Sequence, residues 1–206
     1  SFSDQTQIVL GYGAYQKKKG LLNMLVRFDT FLVALQYFSY SLIGKTYMGV
    51  GRNLAYKKSL FFDNKGFASH LHIPSGDDDL FIREVATEHN TTISIDRTAA
   101  TISVPKESFF SWIRQKSRHL STSTEYSFDL KVLLGLFSLT QLMFWFSFIY
   151  LMIDNSFLYV TLSVFVLKTI VQYLIYFPFM KKMEEKDLGY FLLLLDLLMI
   201  LFQVIF

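Results

Sequence analysis

Three consecutive aspartates, Asp77–Asp79, are the residues of this chain whose type and spacing best suit proton transfer. Adjacent carboxylates repel one another, so a tight turn holds three of them where a cation, a substrate hydroxyl or a helix N-terminus compensates their charge. Pro74 and Gly76 predict the turn, and Leu80–Val85 predicts a helix directly after it. These residues are compatible with a catalytic carboxylate and also with a charged helix cap.

A glycine-rich stretch upstream offers a second group of candidates. Gly49 and Gly51 lie two residues apart and are followed by Arg52 and Asn53. Glycines let the backbone approach a ligand closely, and the Arg52 and Asn53 side chains bring donors suited to phosphate or sugar oxygens. We therefore expect Gly51, Arg52 and Asn53 to bind substrate, with a plain turn as the alternative.

A third group lies on a helix predicted from residue 107 to residue 120. Gln115 and Arg118 are three residues apart and share a face of that helix, and His119 follows them. Aromatic and basic residues immediately before an apolar region favour a helix lying in the plane of the lipid headgroups. The sequence therefore predicts an interfacial helix, with a surface anchor lacking any catalytic role as the alternative.

The elements that must position these groups alternate between helix and strand. Short strands are predicted at 7–12, 92–95 and 101–104, and helices at 21–43, 57–62 and 79–89. This alternation predicts an α/β fold. The helix at 21–43 is long enough to cross a bilayer, but polar residues such as Arg27 and Asp29 interrupt it, so we expect a buried or amphipathic helix.

Charge divides the 206 residues into a polar part, 1–131, and an apolar part, 132–206. The first carries 16 Lys and Arg against 12 Asp and Glu, and the second carries 4 against 5. So small a positive surplus predicts no nucleic-acid partner but suits anionic lipid or a phosphorylated substrate. The absence of Cys excludes disulfides and thiolate chemistry.

Three apolar segments predict transmembrane helices at 132–153, 157–177 and 188–206. The linker after the second contains three lysines, whereas the linker after the first has none, so the polar part should lie on the cytoplasmic side, here of a bacterial inner membrane. Lys168 and Asp196 lie deep in these segments at similar depth. Since an isolated charge is costly there, we expect the two to pair.

The order of the three motifs resembles the membrane-bound family 2 glycosyltransferases. Gly49–Tyr56 is similar to their acceptor-side loop, and Gly76-Asp77-Asp78 to their T-E-D or G-D-D motif. Gln115-Lys116-Ser117-Arg118-His119 is similar to their Q-x-x-R-W motif. The resemblance covers the whole chain and depends on the order and spacing of motifs that are each weak alone.

The resemblance implies part of a GT-A-type catalytic domain, an inverting reaction, a nucleotide-sugar donor and a glycan or lipid-linked acceptor. It implies that an aspartate of the acidic turn is the general base; the motif match selects Asp78, with Asp77 and Asp79 still open. Gln115 and Arg118 would help to hold the acceptor end and the donor diphosphate.

The sequence departs from the family pattern at two points. His119 replaces the usual Trp, which weakens the expectation of acceptor stacking. No D-x-D motif lies upstream of Asp77; the metal-binding D-x-D, which would hold Mg²⁺ or Mn²⁺, is expected before residue 1, so this chain alone should be an inactive C-terminal fragment. The competing function is a non-catalytic membrane scaffold or transporter subunit.

Overall fold

The computed structural model describes residues 2, 5–73 and 75–205. Pro74, which helped to predict the acidic turn, lies outside them. The chain forms two compact units, which we call the polar unit (1–125 with 182–184) and the apolar unit (126–181 and 185–206). The structure confirms the coarse prediction, because a small sheet region accompanies long apolar helices and 63% of the described residues are helical.

The polar unit contains two small sheets. Its strands are β1 (Ile8–Gly11), β2 (Gly13–Tyr15), β3 (Leu54–Tyr56), β4 (Thr91–Ser94) and β5 (Thr101–Ser103). β1 is central in one sheet, antiparallel to β3 and parallel to β4, and β2 pairs in parallel with β5 in the other. Parallel pairing brings the carboxyl ends of β1 and β4 to the same edge, where loops that carry functional groups usually lie.

Helix α1 (Leu21–Leu42) supports the expectation of a buried helix. It is long and apolar enough to cross a membrane, yet half of its most apolar stretch is buried. It packs on β2 and β4 and inserts Phe28 and Phe31 into the core of the polar unit. Buried Asn23 fixes its start, because the amide donates to the Gln16 carbonyl and accepts the Lys18 N–H.

Three shorter helices complete the polar unit: α2 (Lys58–Asp63), α3 (Asp79–Val85) and α4 (Phe109–Leu120). Gly76 has a φ of 98°, a left-handed conformation that glycine adopts without strain, and so makes the turn before α3. The prediction that α3 continues to residue 89 was wrong. Asn90 ends it, because its side-chain amide donates to the Val85 carbonyl and its Oδ1 accepts the Thr87 N–H.

The apolar unit is dominated by α5 (Phe128–Asp154) and α6 (Leu158–Lys182), both long and apolar enough to cross a membrane. They cover the segments predicted at 132–153 and 157–177, apart from Phe157, which lies in the turn before α6. Asn155, in the left-handed conformation, ends α5 before the turn. Most side chains of both helices are exposed, which is typical of a membrane protein. The apolar unit begins at residue 126, six residues before the apolar part of the sequence (132–206). The difference arises because the first turn of α5 contains the charged residues Asp129 and Lys131.

The prediction of one continuous helix over 188–206 was wrong. The structure has a short helix α7 (Lys186–Gly189) and then α8 (Leu192–Ile205), and Phe206 lies outside the described residues. The carbonyl of Gly189 accepts a hydrogen bond from the Tyr173 hydroxyl, so it does not continue the helical ladder. With 14 residues, α8 is about 21 Å long, shorter than the hydrocarbon core of about 30 Å.

A buried polar cluster joins the helices of the apolar unit, and it confirms the predicted pairing of Lys168 with Asp196. Lys168 Nζ lies 2.5 Å from Asp196 Oδ2. Gln172 Nε2 donates to Asp196 Oδ1 at 2.9 Å, and Trp145 Nε1 donates to Asp196 Oδ2 at 3.2 Å. Helix α8 contributes the carboxylate, and α5 and α6 contribute its partners. Both carboxylate oxygens are therefore hydrogen-bonded in an apolar environment.

Candidate functional site

Asp78 connects the acidic turn to the glycine-rich loop. Its side chain is half-buried and caps α3: Oδ1 accepts the Asp79 N–H at 2.9 Å. Its Oδ2 accepts the backbone N–H of Gly51 at 2.7 Å. A Cβ at position 51 would lie 3.1 Å from Asp78 Oδ2, so glycine is what allows this close approach. Two motifs predicted to act together therefore do meet, through a carboxylate.

Several effects of opposite sign act on the Asp78 carboxyl. Burial is the largest and raises its pKa above the usual range. The N–H groups of Gly51 and Asp79 oppose this shift, and the charges of Asp79 and Asp77 reinforce it. The net shift is upward, and loss of water contributes more to it than repulsion by the neighbouring acids.

The other two aspartates have different surroundings. Asp79 is buried, with Oδ1 accepting the Leu80 N–H at 2.9 Å and Oδ2 accepting the Thr122 hydroxyl at 2.6 Å. Asp77 is exposed. Because Asp79 is 6% exposed, a ligand hydroxyl cannot reach its carboxylate, whereas Asp78 is only half-buried. The geometry therefore favours Asp78 over Asp79 as the candidate base.

Arg52 and Asn53 make framework contacts rather than pointing to an open site. Asn53 Nδ2 donates to the carbonyls of Tyr12, at 2.9 Å, and Ala99, at 2.7 Å. Arg52 Nη1 donates to the Ala14 carbonyl at 3.2 Å. Both donors of the Asn53 amide are therefore used within the polar unit, and its main role in this structure is to fix the loop.

Tyr15, at the end of β2, links the glycine-rich loop to α4. The Arg52 guanidinium carbon lies 4.0 Å from the centre of the Tyr15 ring, and Gln115 Nε2 donates to the Tyr15 hydroxyl at 3.2 Å. Sequence reasoning missed this residue. The one signal for it is an aromatic side chain on a short strand just before a basic turn.

Helix α4 is held at both ends and presents its basic residues at the surface. The Ser108 hydroxyl caps it by accepting the Ser111 N–H, Trp112 is buried, and Lys116 pairs with Asp29 of α1. Arg118 and His119 are exposed, with Arg118 Nη2 3.5 Å from His119 Nε2. Their side chains are accessible to a ligand.

The electrostatics of His119 connect α4 to the acidic turn. Partial loss of solvent lowers the pKa of its ring, and the adjacent Arg118 lowers it further. Asp78 and Asp79 are close enough to oppose this shift, and Arg52 is close enough to add to it. The half-buried Asp78 carboxylate, the His119 ring and the two arginines therefore lie within electrostatic range of one another. A proton transfer accompanied by a developing anion needs both a base and donors of this kind.

The described residues do not form a cation site. No three His, Asp or Glu side chains in 2, 5–73 and 75–205 converge as metal ligands. Each oxygen of Asp78 and of Asp79 already accepts a hydrogen bond. The Mg²⁺ or Mn²⁺ that the resemblance implies is expected at a motif upstream of residue 1, not at this acidic turn.

A cavity of about 410 Å³ lies elsewhere, lined by residues 41–44, 88–89 and 91–93. None of these is a candidate site residue. No protein-family model, curated protein or solved structure matches this chain. The chemistry of these side chains is therefore the basis for assigning a function.

Proposed function

We propose that this chain is part of a membrane-bound, inverting glycosyltransferase. It moves a sugar from a nucleotide-diphosphate donor to a hydroxyl of a glycan or lipid-linked acceptor. Asp78 accepts the proton of the acceptor hydroxyl as that oxygen bonds to the anomeric carbon. The bond from the anomeric carbon to the diphosphate oxygen breaks, and the nucleoside diphosphate leaves with the bonding electrons.

One observation carries the proposal: motifs far apart in sequence converge on Asp78 and its surroundings. The Gly51 N–H donates to the Asp78 carboxylate. Gln115 of α4 donates to the Tyr15 hydroxyl, and Thr122, in the segment directly after α4, donates to Asp79. A sugar hydroxyl is a weak acid, so a carboxylate with a raised pKa is a better base for it than an ordinary one.

The basic groups of α4 suit the leaving diphosphate. Arg118 is exposed beside His119, and a guanidinium binds phosphate oxygens through paired, charge-assisted hydrogen bonds. Gln115 is the expected contact to the acceptor end, held by Tyr15. Because the three aspartates lack the geometry of a cation site, the proposal gives them no metal-binding role; a divalent cation would have other ligands.

The proposed location is the cytoplasmic face of the membrane. Lys181 and Lys182 end α6 and Lys186 begins α7, whereas Asp154 ends α5 and the uncharged Asn155 and Ser156 follow it. An excess of lysine and arginine favours the cytoplasmic side. A donor made in the cytoplasm would then reach Asp78 without crossing the bilayer.

The test is sugar transfer by the intact protein in native membranes, assayed with a panel of labelled nucleotide sugars and either Mg²⁺ or Mn²⁺. Asp78→Asn should lower kcat by about 10²- to 10⁴-fold, the usual contribution of a general base, with donor binding nearly unchanged. Asp79→Asn tests the register of the base within the turn, and exposed Asp77→Asn is the matched control for charge.

Near-normal turnover in Asp78→Asn, with loss in Asp77→Asn or Asp79→Asn, would assign the base to a different residue. No transfer from any donor, with all variants equal to wild type in donor binding, would favour the alternative, a non-catalytic scaffold or transporter subunit. The two outcomes separate the choice of residue from the choice of function.

A further inference from the structure

The segment Ser121–Glu125, a short 3-10 helix, directly follows α4 and contacts the helix that carries the acidic turn. Thr122 is 1% exposed, and its hydroxyl donates to Asp79 Oδ2 at 2.6 Å. The two residues are 43 positions apart in the chain. A buried hydroxyl against a buried carboxylate fixes the position of both, because the charge has no access to water.

A second contact joins the same two elements. The Arg83 guanidinium donates to the backbone carbonyl of Glu125. Asp79 is the first residue of α3 and Arg83 lies in its last turn, so the segment contacts α3 at both ends. The helix is only seven residues long and cannot hold its own position through internal hydrogen bonds.

The segment is itself a rigid continuation of α4. The hydroxyls of Ser121, Thr122, Ser123 and Thr124 each lie 2.6–2.9 Å from the carbonyl oxygen three residues earlier. The carbonyls of residues 118–120 belong to the last turn of α4, where a helix end leaves carbonyls without an α-helical partner. Thr122 also contacts Asp79. It is therefore the rigid link between the Arg118–His119 end of α4 and the start of α3.

We propose that Thr122 is a positioning residue that fixes the distance between the acidic turn and the Arg118–His119 end of α4. It acts through Asp79, and the neighbouring Asp78 is the group that it positions. The inference rests on the proposed function, because a fixed distance between Asp78 and the diphosphate-binding groups of α4 matters for catalysis only if both act in the same reaction.

The test uses the intact protein in membranes and two pairs of variants. Thr122→Ser and Thr122→Ala both remove the methyl group and differ only in the hydroxyl. Thr124→Ser and Thr124→Ala form the control pair, two residues away on an exposed side chain. Amide hydrogen exchange is measured over residues 79–85, together with kcat and donor KM.

We expect Thr122→Ser to stay within about twofold of wild type in kcat and to leave exchange over 79–85 unchanged. Thr122→Ala should increase that exchange and lower kcat by about 10- to 100-fold, with donor KM within about threefold, because misplacement of a reacting group reduces turnover more than binding. The Thr124 pair should show no difference between serine and alanine.

Equal exchange and equal kcat in the two Thr122 variants would overturn the positioning role. A fall in kcat for Thr122→Ala without increased exchange over 79–85 would overturn it as well. If wild-type protein transfers no sugar, the proposed function fails on that result, and exchange alone then decides whether the hydroxyl holds α3.

Discussion

The three aspartates of the acidic turn share one chemistry but have three environments. Asp77 is exposed, Asp78 is half-buried against the Gly51 amide, and Asp79 is buried against Thr122. Burial raises the pKa of Asp78, and the charges of its two neighbours raise it further. One carboxylate is thus suited to proton transfer while another anchors the turn.

Removing the exposed charge should change the pH dependence of activity in a known direction. The base works when ionised, so activity is lost as the pH falls through the pKa of Asp78. Asp77→Asn removes one of the charges that raise this pKa, so the acid limb of kcat/KM should move to lower pH. The measurement is the pH profile of kcat/KM, with exposed Asp63→Asn as a control of equal net charge. An acid limb at the wild-type position in both variants would contradict it.

Two exposed arginines on α4 should differ in importance. Arg118 lies beside His119 and shares a face with Gln115, whereas Arg114 does not. Loss of a charge-assisted contact to a diphosphate costs roughly 1.5–3 kcal/mol, so Arg118→Ala should lower kcat/KM by about 10- to 150-fold. Arg114→Ala, the matched control, should stay near wild type. Full activity in both variants would leave α4 as an anchor only.

Sequence spacing predicted part of this constellation. Asp78 and Gly51 meet as expected because each lies in a turn with its own local signal. Asn53 was expected to bind substrate, yet its amide is used by two carbonyls. The roles of Tyr15 and Thr122 could not be predicted, because their contacts to Gln115 and Asp79 span 100 and 43 residues and leave no local pattern.

At the scale of elements, the start of α3 was better predicted than its end. Helix α3 begins where the acidic turn predicts, since the cap is a local feature. It ends early because the Asn90 side chain binds the Val85 carbonyl, and α8 is separated from α7 beside a carbonyl bound by Tyr173. Both interruptions come from hydrogen-bonding side chains, which hydrophobic periodicity does not report.

The end of β1 is a place where a single methyl group should destabilise the polar unit. A Cβ at Gly11 would lie 2.4 Å from Asn53 Cγ, so Gly11→Ala must displace the amide from the Tyr12 and Ala99 carbonyls. Overpacking of this kind costs about 1–3 kcal/mol. We expect a lower thermal unfolding midpoint in Gly11→Ala.

A double-mutant cycle identifies the cause. In an Asn53→Ala background the clashing side chain is absent, so Gly11→Ala should cost less than in wild type. Additive losses in the double variant would mean that the added methyl group acts through a contact other than Asn53.

At the scale of the whole chain, composition predicts two units because most charged residues precede the long apolar helices. Helix α1 tests the limit of that argument: it has the length and hydropathy of a membrane span, yet half of its most apolar stretch is buried inside the polar unit. Length and hydropathy alone do not separate a core helix from a span. The buried Asn23 and Arg27 are the sequence features that favour the core.

The cluster around Asp196 fixes how the helices of the apolar unit pack. An ionised side chain deep in a membrane segment costs about 2.5–3.5 kcal/mol unless it is paired. Here Lys168 neutralises the charge, and Gln172 and Trp145 complete the hydrogen bonding of the carboxylate. Apolar contacts tolerate sliding of one helix along another, whereas this cluster permits one register of α5, α6 and α8.

Charge reversal in this cluster gives a test that is independent of enzymatic function. Lys168→Asp puts two carboxylates together and Asp196→Lys puts two ammonium groups together, so each single variant should sharply reduce the yield of folded protein. The double swap restores one charge of each sign, and its yield should exceed that of either single. Recovery should be partial, because the Trp145 and Gln172 donors would then face an ammonium group rather than a carboxylate. The readout is the monodisperse fraction in detergent, with exposed Lys181→Asp as the control. A double swap no better than the singles would mean that the pair does not determine how these helices pack.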